Sequence, residues 1–227
     1  MNIVIFGPPG AGKGTQSDKI VEEFKLFKLS AGDILREQIK KNNKSELSNK
    51  INEILNRGSL VPDNIIDKLV EEIIANKKYN NQIIFDGYPR NINQAKTLNL
   101  LLNKYNQKIS CVLNLKVEKD VIVKRILGRE VCSKCGNIFN KFFYPANKNT
   151  HGCDSKFLEK RSDDNEETVI KRLETYTDIT SPILDYYEKQ NLLTIINGMN
   201  KIDDIYKEIR QIIRSLKTWL YKMYLYK

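Results

Sequence analysis

The residues best suited to chemistry in this sequence are Gly7–Thr15, which read GPPGAGKGT and follow the apolar run Ile3–Phe6. This order predicts a buried strand, a glycine-rich turn and a helix that begins near Lys13. Glycines let the backbone curl so that successive N–H groups face phosphate oxygens, and the helix dipole adds to the anion site. Lys13 adds a mobile charge for the outer phosphates, although Gly14 stands where this phosphate-loop pattern usually has Ser or Thr. The stretch predicts a phosphate-binding site.

A second polar segment, Asp86–Arg90, reads DGYPR and follows the apolar run Ile83–Phe85. An aspartate at the carboxyl end of a strand, opposite a phosphate loop, is placed to hold hydrated Mg²⁺. Arginine presents a planar fork to phosphate, and glycine lets a ligand approach closely. We therefore predict that Asp86 binds Mg²⁺ through water and that Arg90 binds a phosphate group. A third cluster, Ser30–Arg36, indicates by itself only the start of a helix.

The elements that must position these segments alternate between strands and helices. Apolar runs lie at 3–6, 26–29, 83–85, 111–115 and 192–196. Helix-period segments lie at 16–24, 31–40, 46–55, 64–75, 92–104, 119–127, 166–189 and 202–216. Because runs that are apolar on both faces suit parallel strands covered by helices, we predict an α/β fold of the P-loop NTPase type, with a five-stranded parallel sheet. Ligands of such sheets bind beyond the carboxyl ends of the strands, which is where the polar segments fall.

Two stretches break this alternation. Residues 30–61 are helical in pattern and contain no predicted strand. Residues 129–163 contain cysteines, aromatic residues and Asn/Lys-rich turns, with little periodicity. We expect both stretches to be insertions into the main domain.

The composition sets further limits. The chain has 227 residues and a net charge of +10, which suits nucleotides or nucleic acid. A general bias towards Lys and Asn explains the charge more simply, and without a recognition motif we expect no nucleic-acid partner. No apolar run approaches the roughly 20 residues that span a bilayer, and the sequence opens directly on a core strand. We therefore expect a cytoplasmic protein whose four cysteines are reduced.

The C-terminal residues 217–227 form an aromatic and basic tail. Such a composition also occurs in helices that bind membranes or partner proteins. We expect instead that the tail extends the last helix and packs on the main domain.

Several groups of residues together resemble the adenylate kinase family, of the long type with a full-sized lid. In chain order they are Gly7–Thr15; Gly32-Asp33 with Leu35-Arg36; Leu60–Pro62; Asp86–Arg90 with Gln94; Arg125 with Gly128-Arg129; and Arg161–Asp164 with Arg172. The resemblance implies a core domain (1–29, 62–128 and 164–216), an insertion that binds the nucleoside monophosphate (30–61), a lid (129–163) and the tail (217–227). It also implies a monomer that transfers a phosphoryl group reversibly from ATP to AMP with Mg²⁺, giving two ADP.

The resemblance further implies individual roles. The implied ATP site comprises Gly10, Ala11, Gly12, Lys13, Gly14, Thr15, Arg125, Arg129, Ile138 and Phe139. The implied AMP site comprises Ala31, Arg36, Ser59, Leu60, Val61, Gly87, Tyr88, Pro89, Arg90, Gln94, Arg161 and Arg172. The implied catalytic residues are Lys13, Arg90, Arg129, Arg161 and Arg172. Phosphoryl transfer suits this set, because it requires positioning and charge stabilisation more than covalent chemistry.

Two residues bear on the choice of acceptor. The amide of Gln94 both donates and accepts hydrogen bonds, which matches the N6/N1 edge of adenine and predicts AMP. Ala31 stands where the family usually has threonine, and Ser30-Ala31-Gly32 also resembles UMP/CMP kinases. The lost hydroxyl corresponds to about 0.5–1.5 kcal/mol, and we give Gln94 and the long lid more weight. The alternatives are a GTP:AMP phosphotransferase, a UMP/CMP kinase and a nucleotide-binding protein without catalysis.

The lid segment contains half of a zinc knuckle, Cys132-Ser-Lys-Cys135. Zinc-binding relatives have a second C-x-x-C, of which Cys153 fits the last ligand while Thr150 stands at the third. His151 can supply the missing nitrogen, because tetrahedral Cys₃His is an accepted geometry for structural zinc. The aspartate after Cys153 is an alternative ligand, and a lid without metal is the other alternative.

Overall fold

The structure is a computed structural model that describes residues 1–41 and 45–225. Its strands are β1 (Asn2–Phe6), β2 (Phe27–Ser30), β3 (Ile83–Asp86), β4 (Ile109–Lys116), β5 (Arg129–Cys132), β6 (Ile138–Asn140), β7 (Leu158–Glu159) and β8 (Leu193–Asn197). Its α-helices are α1 (Lys13–Phe24), α2 (Ala31–Lys41), α3 (Glu46–Asn56), α4 (Asp63–Ala75), α5 (Ile92–Lys104), α6 (Lys119–Leu127), α7 (Glu166–Thr175), α8 (Pro182–Glu188) and α9 (Ile202–Leu225).

The central sheet has five parallel strands in the order β2-β3-β1-β4-β8, which confirms the predicted α/β fold. Every residue of β1 and β3 is buried, as their apolar sequences predict for strands covered on both faces. From β1 the chain proceeds to β2 and β3 on one side and to β4 and β8 on the other. The strand order therefore reverses at β1, and a ligand crevice is expected at its carboxyl end.

Alternate residues of the strands support two hydrophobic layers. Val4 and Phe85 face one layer, which includes residues of α4, α5 and α8. Ile3 and Ile84 face the other layer, which includes residues of α1 and α9. This follows from the period of two along a strand, which sends successive side chains to opposite faces. Each fully buried Ile or Phe side chain contributes about 1.5–3 kcal/mol relative to an exposed one, so these layers fix the strand ends that form the site.

Two excursions leave this core. The first excursion contains α2 and α3, in agreement with the helical pattern predicted for residues 30–61, of which residues 42–44 lie outside the described ranges. The second forms an antiparallel sheet in the order β6-β5-β7, which the sequence analysis did not predict. These strands have only two to four residues, too few to show a clear period of two.

The segment 166–189, predicted from its helical period, is helical but is not one continuous α-helix. Helix α7 ends at Thr175, a π-helical turn follows at Tyr176–Thr180, and α8 begins at Pro182. Proline has no N–H to continue a helical ladder, and the preceding Ser181 N–H donates to the Tyr176 carbonyl five residues back (2.7 Å). The turn brings the Thr180 hydroxyl to the Arg90 carbonyl (2.9 Å), so the interruption helps to hold the segment that carries Arg90.

Helix α9 continues beyond the predicted 202–216 and reaches Leu225. Its residues Ile205, Ile209 and Ile213 pack in the core, and Lys217 Nζ lies 4.9 Å from the centre of the Phe24 ring. The predicted extension of the last helix is therefore present, whereas the aromatic side chains of the tail lie outside the described residues. Across the described ranges, no helix combines the length and the hydropathy that a bilayer-spanning segment needs.

Candidate active site

A cleft of about 830 Å³ lies beyond the carboxyl ends of the central strands. This volume falls within the roughly 300–1,000 Å³ typical of small-molecule sites. Most of the site residues named in the sequence analysis line it: Gly10, Ala11, Gly12, Lys13, Gly14, Thr15, Arg36, Ser59, Asp86, Gly87, Arg90, Arg125, Arg129, Ile138, Phe139, Arg161 and Arg172. Residues distant in sequence thus meet around one cleft.

The phosphate loop joins β1 to α1 and depends on glycine. Gly10 and Gly12 have φ values of +78° and +95°, in the left-handed region that other residues rarely adopt. A Cβ at Gly10 would also lie 2.8 Å from a side-chain carbon of Ile126. The Ala11 N–H donates to the Pro8 carbonyl (3.1 Å), which closes the turn. Helix α1 consequently starts at the cleft, where its first N–H groups have no partner within the helix.

Lys13, the first residue of α1, extends over the loop. Its Nζ donates to the carbonyls of Gly7 (2.7 Å) and Pro8 (3.0 Å). Burial lowers the pKa of Lys13 to about 8; the Asp86 carboxylate opposes this change, while three nearby arginines reinforce it. The ammonium therefore shares the cleft with three arginines and one carboxylate, a net positive group of charges that favours an anionic ligand beside it.

Asp86 ends β3, beside Ile5 of β1 and Ser30 of β2. Burial raises the pKa of its carboxyl group, and the charges of Lys13 and Lys28 act against that rise. Its Oδ2 lies 3.9 Å from the position that a Cβ would take at Gly14, so the carboxylate faces the start of α1. A carboxylate oxygen in this position suits Mg²⁺, which prefers oxygen ligands and retains several waters.

Two arginines of the cleft are held by neighbouring aspartates. Arg129 forms a two-pronged ion pair with Asp164, whose Oδ2 accepts from Nε at 2.7 Å. Arg172 Nη1 donates to Asp163 Oδ2 at 2.9 Å. Burial lowers the pKa of Arg172 to about 10, with Asp163 acting in the opposite direction. The sequence analysis assigned no role to Asp163 or Asp164, although two adjacent acids directly after Arg161-Ser162 were a visible signal.

A third aspartate links the helical excursion to the segment after β7. Asp33 Oδ1 lies 2.9 Å from Arg36 Nη2 and 3.8 Å from Arg161 Nη2. Burial lowers the pKa of Arg161 to about 10, and the charges of Arg129 and Arg36 add to this effect. The Ser162 hydroxyl also donates to Asn56 Oδ1 (3.1 Å). The two excursions therefore meet across the cleft.

Arg125 lies at the side of the cleft nearest the end of β8. Its Nη2 donates to the Gly198 carbonyl (3.0 Å), and its guanidinium carbon lies 5.6 Å from the centre of the Phe143 ring. Ile138 reaches within 3.5 Å of the Cβ position of Gly14, above the phosphate loop. Phe143 also lines the cleft and is half-exposed, whereas the predicted Phe139 is buried. The sequence analysis missed Phe143, which stands in the conspicuous run Phe142-Phe143-Tyr144.

The residues implied for AMP divide into two groups. Arg36, Ser59, Gly87, Arg90, Arg161 and Arg172 line the main cleft, and Leu60 and Pro89 line a small adjoining cavity with Gly87 and Arg90. Ala31, Val61, Tyr88 and Gln94 are buried behind these surfaces. Within the second group, Gln94 Oε1 accepts from the Arg90 N–H (2.7 Å), and Nε2 donates to Asp63 (2.7 Å).

Four potential metal ligands meet beside the β6-β5-β7 sheet. The ligand atoms of Cys132, Cys135, His151 and Cys153 all lie within 4.8 Å of one another. Burial raises the pKa of the Cys132 thiol, but the Cys135 N–H, which donates to Cys132 Sγ at 3.5 Å, and the neighbouring His151 ring outweigh it and lower the value to about 6. His151 Nε2 is buried and has no hydrogen-bond partner in the described part of the chain. Three sulfur atoms and an imidazole nitrogen are a donor set that fits zinc.

Comparisons with known proteins agree with this geometry. The family model described as adenylate kinase matches residues 5–192. The adenylate kinase of Pelagibacter ubique is 44% identical over 214 residues, which cover 94% of this chain and all of the relative. Those of Thermosipho africanus and Archaeoglobus fulgidus are 39% and 37% identical, over 94% and 96% of this chain and all of each relative. On the breadth of these matches, the chain belongs to the adenylate kinase family.

Proposed function

We propose that this chain catalyses the reversible transfer of a phosphoryl group from ATP to AMP, giving two molecules of ADP. The observation that carries the proposal is the meeting of Lys13, six arginines and Asp86 around one cleft. In the forward direction a phosphate oxygen of AMP attacks the γ-phosphorus, and the bond from that phosphorus to the β–γ bridging oxygen breaks. The bridging oxygen remains on the ADP that leaves, so the transfer requires no covalent intermediate with the protein.

The donor site in this proposal is the phosphate loop with its flanking residues. The N–H groups of Gly10–Thr15 and the Lys13 ammonium bind the ATP phosphates, because they present donors and charge at a helix N-terminus. Arg125 lies along the nucleotide and Arg129 along its phosphates. Phe143, whose ring centre lies 5.6 Å from the Arg125 guanidinium carbon, offers an aromatic surface to the same cleft.

The acceptor site lies on the opposite side of the cleft. Arg36 and Arg90 bind the AMP phosphate, since guanidinium groups fit phosphate as two-pronged donors. Arg161 and Arg172 face the group in transfer and stabilise the charge on its equatorial oxygens. The backbone at Ser59–Val61 and the amide of Gln94 recognise the base.

Adenylate kinases generally use Mg²⁺, and Asp86 is the residue that we expect to hold it through water. When bound, the metal neutralises charge on the β- and γ-phosphates. The position of the Asp86 carboxylate beside the start of α1 supports this assignment.

We also propose that residues 30–61 and 129–163 act as the monophosphate-binding insertion and the lid of a monomeric enzyme. The contacts of Asp33 with Arg161 and of Asn56 with Ser162 support this division, because they join the two excursions over the cleft. Lids of adenylate kinases are a known case of closure that excludes water from the reacting groups.

We propose further that Cys132, Cys135, His151 and Cys153 bind a structural zinc ion in the lid. Four protein ligands leave no open position, so the ion would stabilise the small β6-β5-β7 sheet. Thr150 and Asp154 are not part of the cluster, since their side chains bind backbone groups at Pro145 and Lys156.

Metal analysis and calorimetry test the zinc proposal. We expect one zinc per chain in the wild type, and zinc loss with a lower melting temperature for Cys153→Ser. The Asp154→Asn and Cys111→Ala variants should retain the metal, since neither residue belongs to the cluster. A wild type without zinc after purification with added Zn²⁺, or a Cys153→Ser variant that retains it, would contradict the proposal.

The enzymatic proposal is tested by an assay of ADP formation from ATP–Mg²⁺ with AMP, UMP, CMP or GMP as acceptor. We expect strong preference for AMP. Preference for UMP or CMP would assign the chain to the pyrimidine kinases instead. Absence of turnover with every acceptor, repeated with GTP as donor, would support a nucleotide-binding protein without catalysis.

A further inference from the structure

The side-chain amide of Gln94 is fixed at both ends by groups that cannot exchange roles. At one end Oε1 accepts from the backbone N–H of Arg90 (2.7 Å). At the other end Nε2 donates to Asp63 Oδ1 (2.7 Å). A backbone N–H can only donate and an ionised carboxylate can only accept. The opposite orientation of the amide would place two donors together at Arg90 and two acceptors together at Asp63.

Asp63 is itself held in position by a closed ring of hydrogen bonds. It lies in the first turn of α4, and both of its carboxylate oxygens accept from Asn91 Nδ2 (2.9 and 3.1 Å). The Oδ1 of the same Asn91 accepts from the Gln94 N–H (2.8 Å), which caps α5. Asp63, Asn91 and Gln94 therefore constrain one another, and 3% exposure leaves Gln94 little water to replace these partners.

The fixed orientation determines what the amide can still offer to a ligand. One N–H of Nε2 and one lone pair of Oε1 remain after the two internal hydrogen bonds are counted. Adenine presents a donor at N6 and an acceptor at N1, whereas guanine presents an acceptor at O6 and a donor at N1. A reversed amide would exchange the two patterns, so the orientation of the amide decides between the two purines.

We propose that Asp63 is a specificity-determining positioning residue, which holds the Gln94 amide in the orientation that accepts adenine and rejects guanine in the monophosphate site. This inference rests on the proposed function, because it assigns Gln94 to the base of the acceptor. Asp63 acts through Gln94 and is not a catalytic residue. Removal of the Asp63 carboxylate should therefore change the preference for AMP over GMP and the KM for AMP. It should leave kcat and the KM for ATP nearly unchanged.

The test compares kcat/KM for AMP and GMP in variants at position 63. In Asp63→Ala we expect the AMP:GMP ratio to fall about tenfold, mainly through a higher KM for AMP, because one of the two constraints on the amide is gone. In Asp63→Asn, which can still accept from Asn91 and Gln94, we expect a fall of about threefold. If a lowered melting temperature shows that Asp63→Ala is destabilised, the AMP:GMP ratio of Asp63→Asn decides the test: a fall of about threefold supports the inference, and an unchanged ratio overturns it.

Two matched variants separate this inference from its alternatives. Asn64→Ala, at the exposed neighbouring position of α4, should leave the ratio unchanged. Gln94→Leu should lower the ratio, and adding Asp63→Ala to it should produce no further fall, since Asp63 acts only through Gln94.

The outcomes are distinguishable. A wild type that shows no preference for AMP would contradict the proposed function itself. A wild type that prefers AMP, with an Asp63→Ala ratio within about twofold of it, would overturn the inference alone. The inference would also be overturned if Asp63→Ala lowered the AMP:GMP ratio as much in the Gln94→Leu variant as in the wild type. The proposed function would then remain intact.

Discussion

The phosphate loop and two arginines, Arg129 and Arg172, both place positive charge at the cleft, but different forces position them. The loop is contiguous, and the conformations of its glycines and the start of α1 determine its shape. The arginines come from separate elements, and aspartates hold them: Asp164 binds Arg129, and Asp163 binds Arg172. The loop therefore depends on backbone conformation, whereas each arginine depends on a partner.

The largest expected effect concerns the loop itself. In Lys13→Met we expect turnover to fall by about 1,000-fold, because the ammonium placed over the loop is removed. Lys68→Met, at an exposed position of α4, is the matched control and should retain full activity. The steady-state rate of ADP formation measures the effect, and circular dichroism spectra equal to that of the wild type show that the variants are folded. Nearly full turnover of Lys13→Met would contradict the assigned mechanism.

The next effect tests whether an arginine needs its aspartate. The Asp164 side chain is 1% exposed, so Asp164→Asn removes a buried charge partner from Arg129, whose own side chain is 14% exposed. We expect kcat to fall about 100-fold and the free energy of unfolding to fall by about 3 kcal/mol. Asp154→Asn, whose side chain is 55% exposed, serves as the control. Urea unfolding measures the loss of stability, and steady-state kinetics measure kcat. Wild-type values for both would contradict the claim that Arg129 depends on Asp164.

A smaller effect is expected from pH. Because burial lowers the pKa of Lys13 to about 8, its charged form is lost as pH rises through that value. The kcat/KM for ATP should therefore be constant below about pH 8 and fall about tenfold per pH unit above it. Lys13→Arg, if active, should move this fall to higher pH. A wild-type profile that stays flat to about pH 10 would contradict this prediction, because it would show that kcat/KM does not depend on a Lys13 charge lost near pH 8.

The smallest effect is expected at the exposed ion pairs. The Asp33 side chain is 54% exposed and contacts Arg36 and Arg161. Solvent weakens such pairs, so Asp33→Asn should raise the KM for AMP only about threefold and leave the melting temperature unchanged. Steady-state kinetics measure the KM for AMP, and calorimetry measures the melting temperature. An effect on activity as large as that of Asp164→Asn would show that the burial of an aspartate does not determine how much its arginine partner depends on it.

The same contrast explains what the sequence could predict. The phosphate loop and the sheet depend on neighbouring residues and on apolar runs, so their pattern is visible in the chain. Asp163 and Asp164 form a visible acidic pair, but their partners Arg129 and Arg172 come from other elements, so the sequence does not show the pairing. The ring of Asp63, Asn91 and Gln94 likewise joins different elements. The β6-β5-β7 sheet was missed because its strands are short. The break after α7 was missed because helical periodicity outweighed Pro182.

The central claim is most directly tested with ATP labelled on its γ-phosphate, incubated with AMP and Mg²⁺. We predict that the label appears in ADP formed from AMP, one label for each ATP consumed, and that the reaction runs backwards from ADP. Label found in inorganic phosphate, or no label in ADP at early times, would contradict phosphoryl transfer to AMP by this cleft.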